Sequence, residues 1–321
     1  MKINIHAQAI IGPVVLFLLL VSCSSSQTKD PTSHPDSEAA LPTMPTLTTI
    51  PPTKKVFIPT PTPNASLSSQ PQIEVIRDIP YTSQLKLDVY KPHEPGPWPV
   101  VIALHGGGQN KELFNLFSKR IAQLGAVVFT PTWRSSEPKG EQITRDIIIA
   151  GWEDAACVLR FARAKSVDYD GNPARMVVVG YSGGGTAGAV MALAGDDFDG
   201  DCLVSGISSF PDVFVGVDGA YDLVECCIPE SLYSKASPED WDLIVPYTYI
   251  DRQPIHSEIK FDLIVGGTAE LVEMAETFNQ RLTVAGYESN LTQFPGLDHG
   301  EIVSLPLPEL FGIIKDALFP K

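Results

Sequence analysis

The chain is poor in positive charge. Its 321 residues carry 23 Lys and Arg against 38 Asp and Glu, a formal net charge of −15. No basic stripe is available to offset a phosphate backbone, which argues against a general nucleic-acid binder. Long hydrophobic runs are equally scarce. The stretch Ala9 to Val21 is almost wholly apolar, yet it is short for a bilayer span and matches a signal-peptide core in length. A phosphate-binding loop is lacking, because the glycines at Gly106, Gly107 and Gly108 have neither the spacing nor the lysine of one. Internal repeats are absent apart from a Pro-Thr alternation. What is present is a hydrophobic fraction of 44%, incompatible with a wholly disordered chain. The length allows one large domain or two small ones.

The first 72 residues stand apart from the rest. Lys2 gives a weakly positive start, and the apolar run ends in Leu20-Val21-Ser22-Cys23. This tetrapeptide resembles the lipobox of bacterial lipoproteins. The resemblance implies a signal peptide over residues 1–22, cleavage before Cys23, diacylglycerol on its thiol and an acyl group on the new amino end. The mature chain would then be extracytoplasmic and held on a bacterial membrane, since several acyl chains anchor stably where one does not. Ser24 to Gln72 holds 10 Pro, 9 Thr and 8 Ser in 49 residues. Proline removes the donors a helix needs, so residues 23–72 are expected to be an extended, lipid-anchored linker.

Residues 73–321 have the periodicities of an α/β domain. Ile73–Ile79 and Leu85–Tyr90 predict two short strands, an antiparallel pair at one edge. The continuous apolar run Val100–Leu104 predicts a buried parallel strand and Met176–Val179 another buried strand, while Ala126–Thr130, Val213–Val217 and Phe261–Val265 are further predicted strands. Ser289–Phe294 gives a weaker strand signal. Helical spacing covers Glu112–Leu124, Thr144–Ala164, the segment ending at Leu193, Leu271–Ala285 and Pro308–Leu318, with Gly151 a weak point in the second. Strands separated by helix-sized crossovers imply a mostly parallel sheet flanked by helices.

Chemistry concentrates at three places. Gly180-Tyr181-Ser182-Gly183-Gly184 lies between a predicted strand and a predicted helix. In that context G-x-S-x-G resembles the nucleophile elbow of the α/β-hydrolases, where small flanking residues let a serine sit in a tight, strained turn. His105-Gly106-Gly107-Gly108 follows an earlier strand and resembles the HGGG oxyanion loop of the carboxylesterase and lipase branch. The resemblance implies Gly107, Gly108 and Gly183 as N–H donors to the oxyanion, and His105 as a structural loop residue. The expected order serine, acid, histidine directs the base to Asp298-His299-Gly300, hence to His299.

The acid is the least determined member. Gly266-Gly267-Thr268-Ala269-Glu270 follows the strand Phe261–Val265 and resembles the segment where related enzymes commonly carry aspartate, so Glu270 is the expected partner of His299. Asp298 is a rival, Asp262 lies too early in its strand, and Asp218 or Asp222 would suit an acid moved to an earlier strand end. The segment Val217-Asp218-Gly219-Ala220-Tyr221-Asp222 resembles the G-x-Y-D region of the same branch, and Thr132-Trp133-Arg134 its Y-R element.

Over residues 73–321 the resemblance implies an α/β-hydrolase fold with a short cap-like insertion at 223–258 and no metal or organic cofactor. Its departures are Gln109-Asn110, where an aromatic residue commonly follows the glycines, and the insertion itself. There Tyr233, Trp241, Tyr247 and Tyr249 either line a pocket or cover the sheet. Of the cysteines left after Cys23, Cys202 is expected to pair with Cys226 or Cys227, and Cys157 to be a buried thiol. Asp196 to Asp201 is an acidic loop without the calcium-loop spacing, expected to be solvated or at most a weak calcium site. The activity implied is serine-dependent hydrolysis of carboxylic esters, short-chain or carbohydrate-linked, including acetyl- or feruloyl-type polysaccharide esters. A peptidase or lipase on the same machinery, and a noncatalytic hydrolase-like binding protein, remain as alternatives. The expected partners are an ester substrate and, through the anchor, a membrane.

Overall fold

In the computed structural model the described residues are 53–55, 71–134, 144–226, 241–250, 252 and 256–320. The signal peptide, Cys23, most of the linker, Tyr233, Cys227 and part of the cap-like insertion lie outside them. The strands are β1 (Lys54–Lys55), β2 (Ile73–Pro80), β3 (Lys86–Pro92), β4 (Trp98–Leu104), β5 (Val127–Pro131), β6 (Gly171–Tyr181), β7 (Val213–Val217), β8 (Lys260–Val265) and β9 (Glu288–Gln293). The helices are α1 (Asn115–Ala122), α2 (Arg145–Lys165), α3 (Gly183–Ala194), α4 (Leu223–Cys226), α5 (Tyr247–Ile250), α6 (Ala269–Ala285), α7 (Glu301–Ser304) and α8 (Pro308–Leu318).

The strands form one nine-stranded sheet in the order β1-β9-β8-β7-β6-β4-β5-β3-β2. Pairing is parallel from β1 through β5 and antiparallel where β3 and β2 complete the far edge. The strand signal at Ser289–Phe294 is realised as β9. Within the Pro/Thr/Ser-rich segment, Lys54 and Lys55 pair with Thr292 and Gln293, so this part of the expected linker adds to the sheet edge.

Alternation along the central strands sorts the core onto two faces. Val100, Ile102 and Leu104 of β4 pack toward α2, α3 and α6, through residues such as Val158, Val190 and Phe278. Val101 and Ala103 face the opposite way, against Phe117 and Ile121 of α1 and Leu310 and Ile314 of α8. Strands buried on both faces need continuous apolar runs, which is why these segments were visible in the sequence. Gly151 does not break α2. A Cβ there would come 2.3 Å from the Arg134 carbonyl oxygen, so glycine admits the chain that follows β5. That chain is clamped by Asp154, whose carboxylate accepts from the Arg134 backbone N–H and from its guanidinium at 2.7 and 2.8 Å.

The described aromatic residues of the insertion act as cover. Trp241 and Ile244 pack on Ile148, Ile149, Leu223 and Val224. Tyr247 lies against Phe278, and Tyr249 against Phe198. The acidic loop is dispersed among separate partners: Asp196 accepts from Ser209, Asp197 pairs with Arg252, and Asp199 with Arg160. Among the described residues no group of three His, Cys, Asp or Glu side chains could hold a metal ion.

The cysteine expectation is corrected. Cys157 of α2 is bonded to Cys202, with Cα atoms 4.9 Å apart. The helix turns Cys157 toward the loop after α3, so the thiol read as an isolated buried group faces a partner 45 residues away in sequence. Closing a loop of that size restricts the unfolded chain. Cys157→Ser is expected to lower stability by about 2–4 kcal/mol, read as a lower denaturation midpoint, and reducing agent should lower the parent protein's midpoint similarly while leaving the variant unchanged.

Candidate active site

The sheet order brings the motif-bearing loops together. β6 lies between β4 and β7, and Leu104 pairs with Gly180, so the loops leaving β4, β6 and β7 emerge side by side. Ser182 occupies the turn between β6 and α3 with φ 54° and ψ −124°. Non-glycine residues rarely adopt this conformation, and strain of this kind is worth about 1–3 kcal/mol. Close backbone approach holds it. A Cβ at Gly180 would lie 2.1 Å from the Gly184 carbonyl oxygen, and one at Gly184 would lie 2.3 Å from that of Leu104. Backbone bonds tie the turn to the next strand, since the Ser182 N–H donates to the Val217 carbonyl at 3.0 Å.

His299 is brought to Ser182 by the loop after β9. Its Nε2 lies 3.0 Å from Ser182 Oγ. Its Nδ1 lies 3.1 Å from Asp218 Oδ2. The side chain of His299 is 38% exposed, whereas that of Asp218 is fully buried. The arrangement lets the serine hydroxyl donate to Nε2 while Nδ1–H donates to the carboxylate, the tautomer a general base at this position requires.

The carboxylate against His299 is therefore Asp218 and not Glu270. Asp218 stands at the end of β7, immediately beside the serine strand, with φ 47°. Its second oxygen, Oδ1, accepts from the backbone N–H groups of Gly266 and Gly267 at 2.7 and 3.2 Å. The glycine pair that drew attention to Glu270 thus serves the aspartate of the neighbouring strand. A Cβ at Gly267 would lie 3.0 Å from Asp218 Oδ2. Glu270 itself is exposed in the first turn of α6, where Thr268 caps the helix and negative charge is favoured by the helix dipole. Asp298 is also occupied elsewhere, its Oδ1 accepting from the Gly300 and Glu301 N–H groups. Asp262 bonds Asn290, on the strand and away from the loop.

The loop after β4 faces the serine turn. A Cβ at Gly183 would lie 3.3 Å from the Gly107 nitrogen, and one at Gly106 would lie 3.1 Å from Ser182 Cβ. Gly108 adopts φ 68° and turns the chain back. Gln109, where an aromatic residue was expected by resemblance, braces the loop by accepting from the Gly106 N–H at 3.3 Å. Asn110 caps the following turn through the Leu113 N–H. His105 is buried, and its Nδ1 lies 3.0 Å from the Gly106 carbonyl oxygen. Burial pushes its pKa down to about 4, leaving a neutral ring that donates to that carbonyl. It is a loop residue, remote from the role of base.

One contact carried no separate signal in the sequence. Tyr181, the variable residue of the G-x-S-x-G string, donates its hydroxyl to the His299 carbonyl at 2.7 Å. The motif fixes only its neighbours and leaves position 181 open.

Comparison with known proteins agrees with this architecture. The BD-FAE family matches residues 87–226. Gut esterase 1 of Caenorhabditis elegans is 26% identical over 148 residues, 44% of this chain and 26% of that protein. Acylcarnitine hydrolase of Mus musculus is 28% identical over 141 residues, 40% of this chain and 25% of that protein. The chain thus aligns with only about a quarter of the length of these curated relatives. Esterase 2 of Thermogutta terrifontis, solved with butyrate bound, superposes with a TM-score of 0.59 at 18% identity, covering 79% of this chain and 97% of that one. A truncated carbohydrate esterase from gut microbiota gives 0.60 at 17%, covering 78% and 98%. A bifunctional GH43-CE protein of Bacteroides eggerthii gives 0.62 at 22%, covering 76% and 38%. The chain has the α/β-hydrolase fold, a mostly parallel sheet flanked by helices, which it shares with these esterases.

The two acid assignments predict different mutants. In Asp218→Asn the amide oxygen faces the Gly266 and Gly267 donors, and its NH2 faces His299 Nδ1. The imidazole must then carry its proton on Nε2 and cannot accept from Ser182. Turnover of p-nitrophenyl acetate is expected to fall by about 10³–10⁴-fold, while Glu270→Gln stays within about twofold of the parent. A large loss in Glu270→Gln with an active Asp218→Asn would reverse the assignment.

Proposed function

We propose that the protein is a serine carboxylic-ester hydrolase working through an acyl-enzyme. The observation that carries this reading is the contact chain Ser182 Oγ to His299 Nε2 at 3.0 Å and His299 Nδ1 to Asp218 at 3.1 Å. Ser182 attacks the ester carbonyl carbon as His299 takes its proton. The resulting imidazolium is stabilised by buried Asp218. Charge on the carbonyl oxygen is met by backbone N–H groups of the Gly107–Gly108 loop and Gly183, and loss of one such donor typically costs about 3 kcal/mol. His299 then gives its proton to the leaving alkoxide. Water, deprotonated by the same imidazole, attacks the acyl-enzyme and releases the acid.

Short-chain or carbohydrate-linked acyl esters are the proposed substrates. One fold neighbour described as a carbohydrate esterase, and an esterase solved with butyrate bound, favour this reading over a lipase or peptidase. A strongly negative chain also suits neutral substrates better than anionic ones.

The proposed location is extracytoplasmic, on a bacterial membrane through lipidated Cys23. The Cys157–Cys202 bond supports export, since disulfides persist in oxidising compartments. No described helix is long and apolar enough to cross a membrane. The proposed anchor is the lipid on Cys23, joined to the domain by the Pro/Thr/Ser-rich segment.

Two experiments test these statements. The purified protein should hydrolyse p-nitrophenyl acetate faster than long-chain p-nitrophenyl esters, and folded Ser182→Ala should lose the activity. Equal rates in parent and mutant would remove Ser182 as nucleophile, and a long-chain preference would favour a lipase. In a bacterial host, the parent should partition into detergent and Cys23→Ala into the aqueous phase. Identical partitioning would refute the anchor.

A further inference from the structure

We infer that Tyr181 is a positioning residue that holds His299 and the oxyanion loop in register with Ser182. This rests on the serine-hydrolase reading and assigns a new part of that site. Three contacts meet on the one side chain. Its hydroxyl donates to the His299 backbone carbonyl at 2.7 Å. Its ring stacks on the imidazole, with centroids 4.8 Å apart and planes inclined by 29°. Its ring edge also lies against the oxyanion loop, where a Cβ on Gly106 would sit 3.2 Å from Cδ1 and Cε1. Phe114, which follows that loop, also stacks with the ring, with centroids 6.3 Å apart and planes inclined by 16°.

The backbone of Tyr181 is the last residue of β6 and directly precedes Ser182. A single residue therefore fixes the nucleophile through its peptide bond, the base through its hydroxyl and ring, and the oxyanion loop through packing. The side chain is almost fully buried, which restricts its rotation. Burial, with the nearby carboxylates of Asp218 and Asp298, pushes the phenol pKa well above its usual range, so the hydroxyl stays a donor.

The ring has a second consequence. The π face of tyrosine attracts a cation near it. His299 becomes a cation as Ser182 attacks, and Asp218 meets its Nδ1 edge while Tyr181 covers its face. The contact therefore strengthens as the transition state is approached. Because His299 serves both acylation and deacylation, losing alignment slows both steps alike and lowers kcat with little change in KM.

The test uses the full chain, with p-nitrophenyl acetate as substrate and a fluorophosphonate to titrate reactive Ser182. Rates are then expressed per reactive site, so a misfolded fraction does not count as a catalytic defect. Tyr181→Phe keeps the ring and loses the donor; its kcat is expected to fall about fivefold with KM unchanged. Tyr181→Leu loses both, and kcat is expected to fall about a hundredfold, again without a matching rise in KM. The low-field proton resonance of the His299–Asp218 hydrogen bond should broaden in the same order.

A Leu variant that folds and keeps the parent kcat per site and the parent resonance overturns the inference. If the Leu variant does not fold, a Phe variant with parent kcat and resonance overturns it instead. Lower thermal stability with kcat per site unchanged also overturns it, because that is what a packing role alone would produce. Parent activity in Ser182→Ala would withdraw the hydrolase reading and this one together. An inactive Ser182→Ala beside a fully active Tyr181→Leu would remove the positioning role alone.

Discussion

The strained turn at Ser182 is the constraint on which the site depends. A serine at φ 54° is held only where the chain around it leaves no alternative. Gly180 and Gly184 supply that enclosure by letting β6, α3 and the end of β4 approach closer than any side chain would allow. The same packing that strains the turn brings the β4 loop to the serine. Stability and function are thus joined at these backbones. A larger residue at Gly184 would collide with the Leu104 and His105 carbonyl oxygens and push the start of the Gly106–Gly108 loop away from Ser182.

The sheet does the remaining positioning. Adjacent parallel strands end at the same level, so loops distant in sequence become neighbours without long connections. Asp218 leaves the strand next to the serine strand, and its fixing donors leave the strand after that. The buried carboxylate would be costly alone. Two backbone N–H groups and the imidazole supply its partners, and this is also what fixes its orientation.

The sequence revealed those parts whose physics is local. Buried parallel strands required continuous apolar runs, and Val100–Leu104 and Val213–Val217 displayed them. The serine turn required glycines at fixed offsets, and Pro308 marked the start of the last helix. The acid required a spatial comparison instead. Gly267-Thr268-Ala269-Glu270 resembled an acid-bearing segment, whereas this loop supplies the backbone donors and the carboxylate comes from Asp218 on the adjoining strand. The disulfide was hidden for the same reason: the pairing of Cys157 with Cys202 follows from how α2 lies against a loop, which spacing along the chain does not encode. Tyr181 falls between these cases, since its place in the motif was visible but its reach to His299 needed the fold.

The most direct test of the account is peptide mapping of the protein after reaction with a fluorophosphonate. The account predicts one adduct per chain, on the peptide containing Ser182, and its suppression when His299 is replaced by alanine. An adduct on a different residue, or labelling of Ser182 that is indifferent to His299, would contradict it.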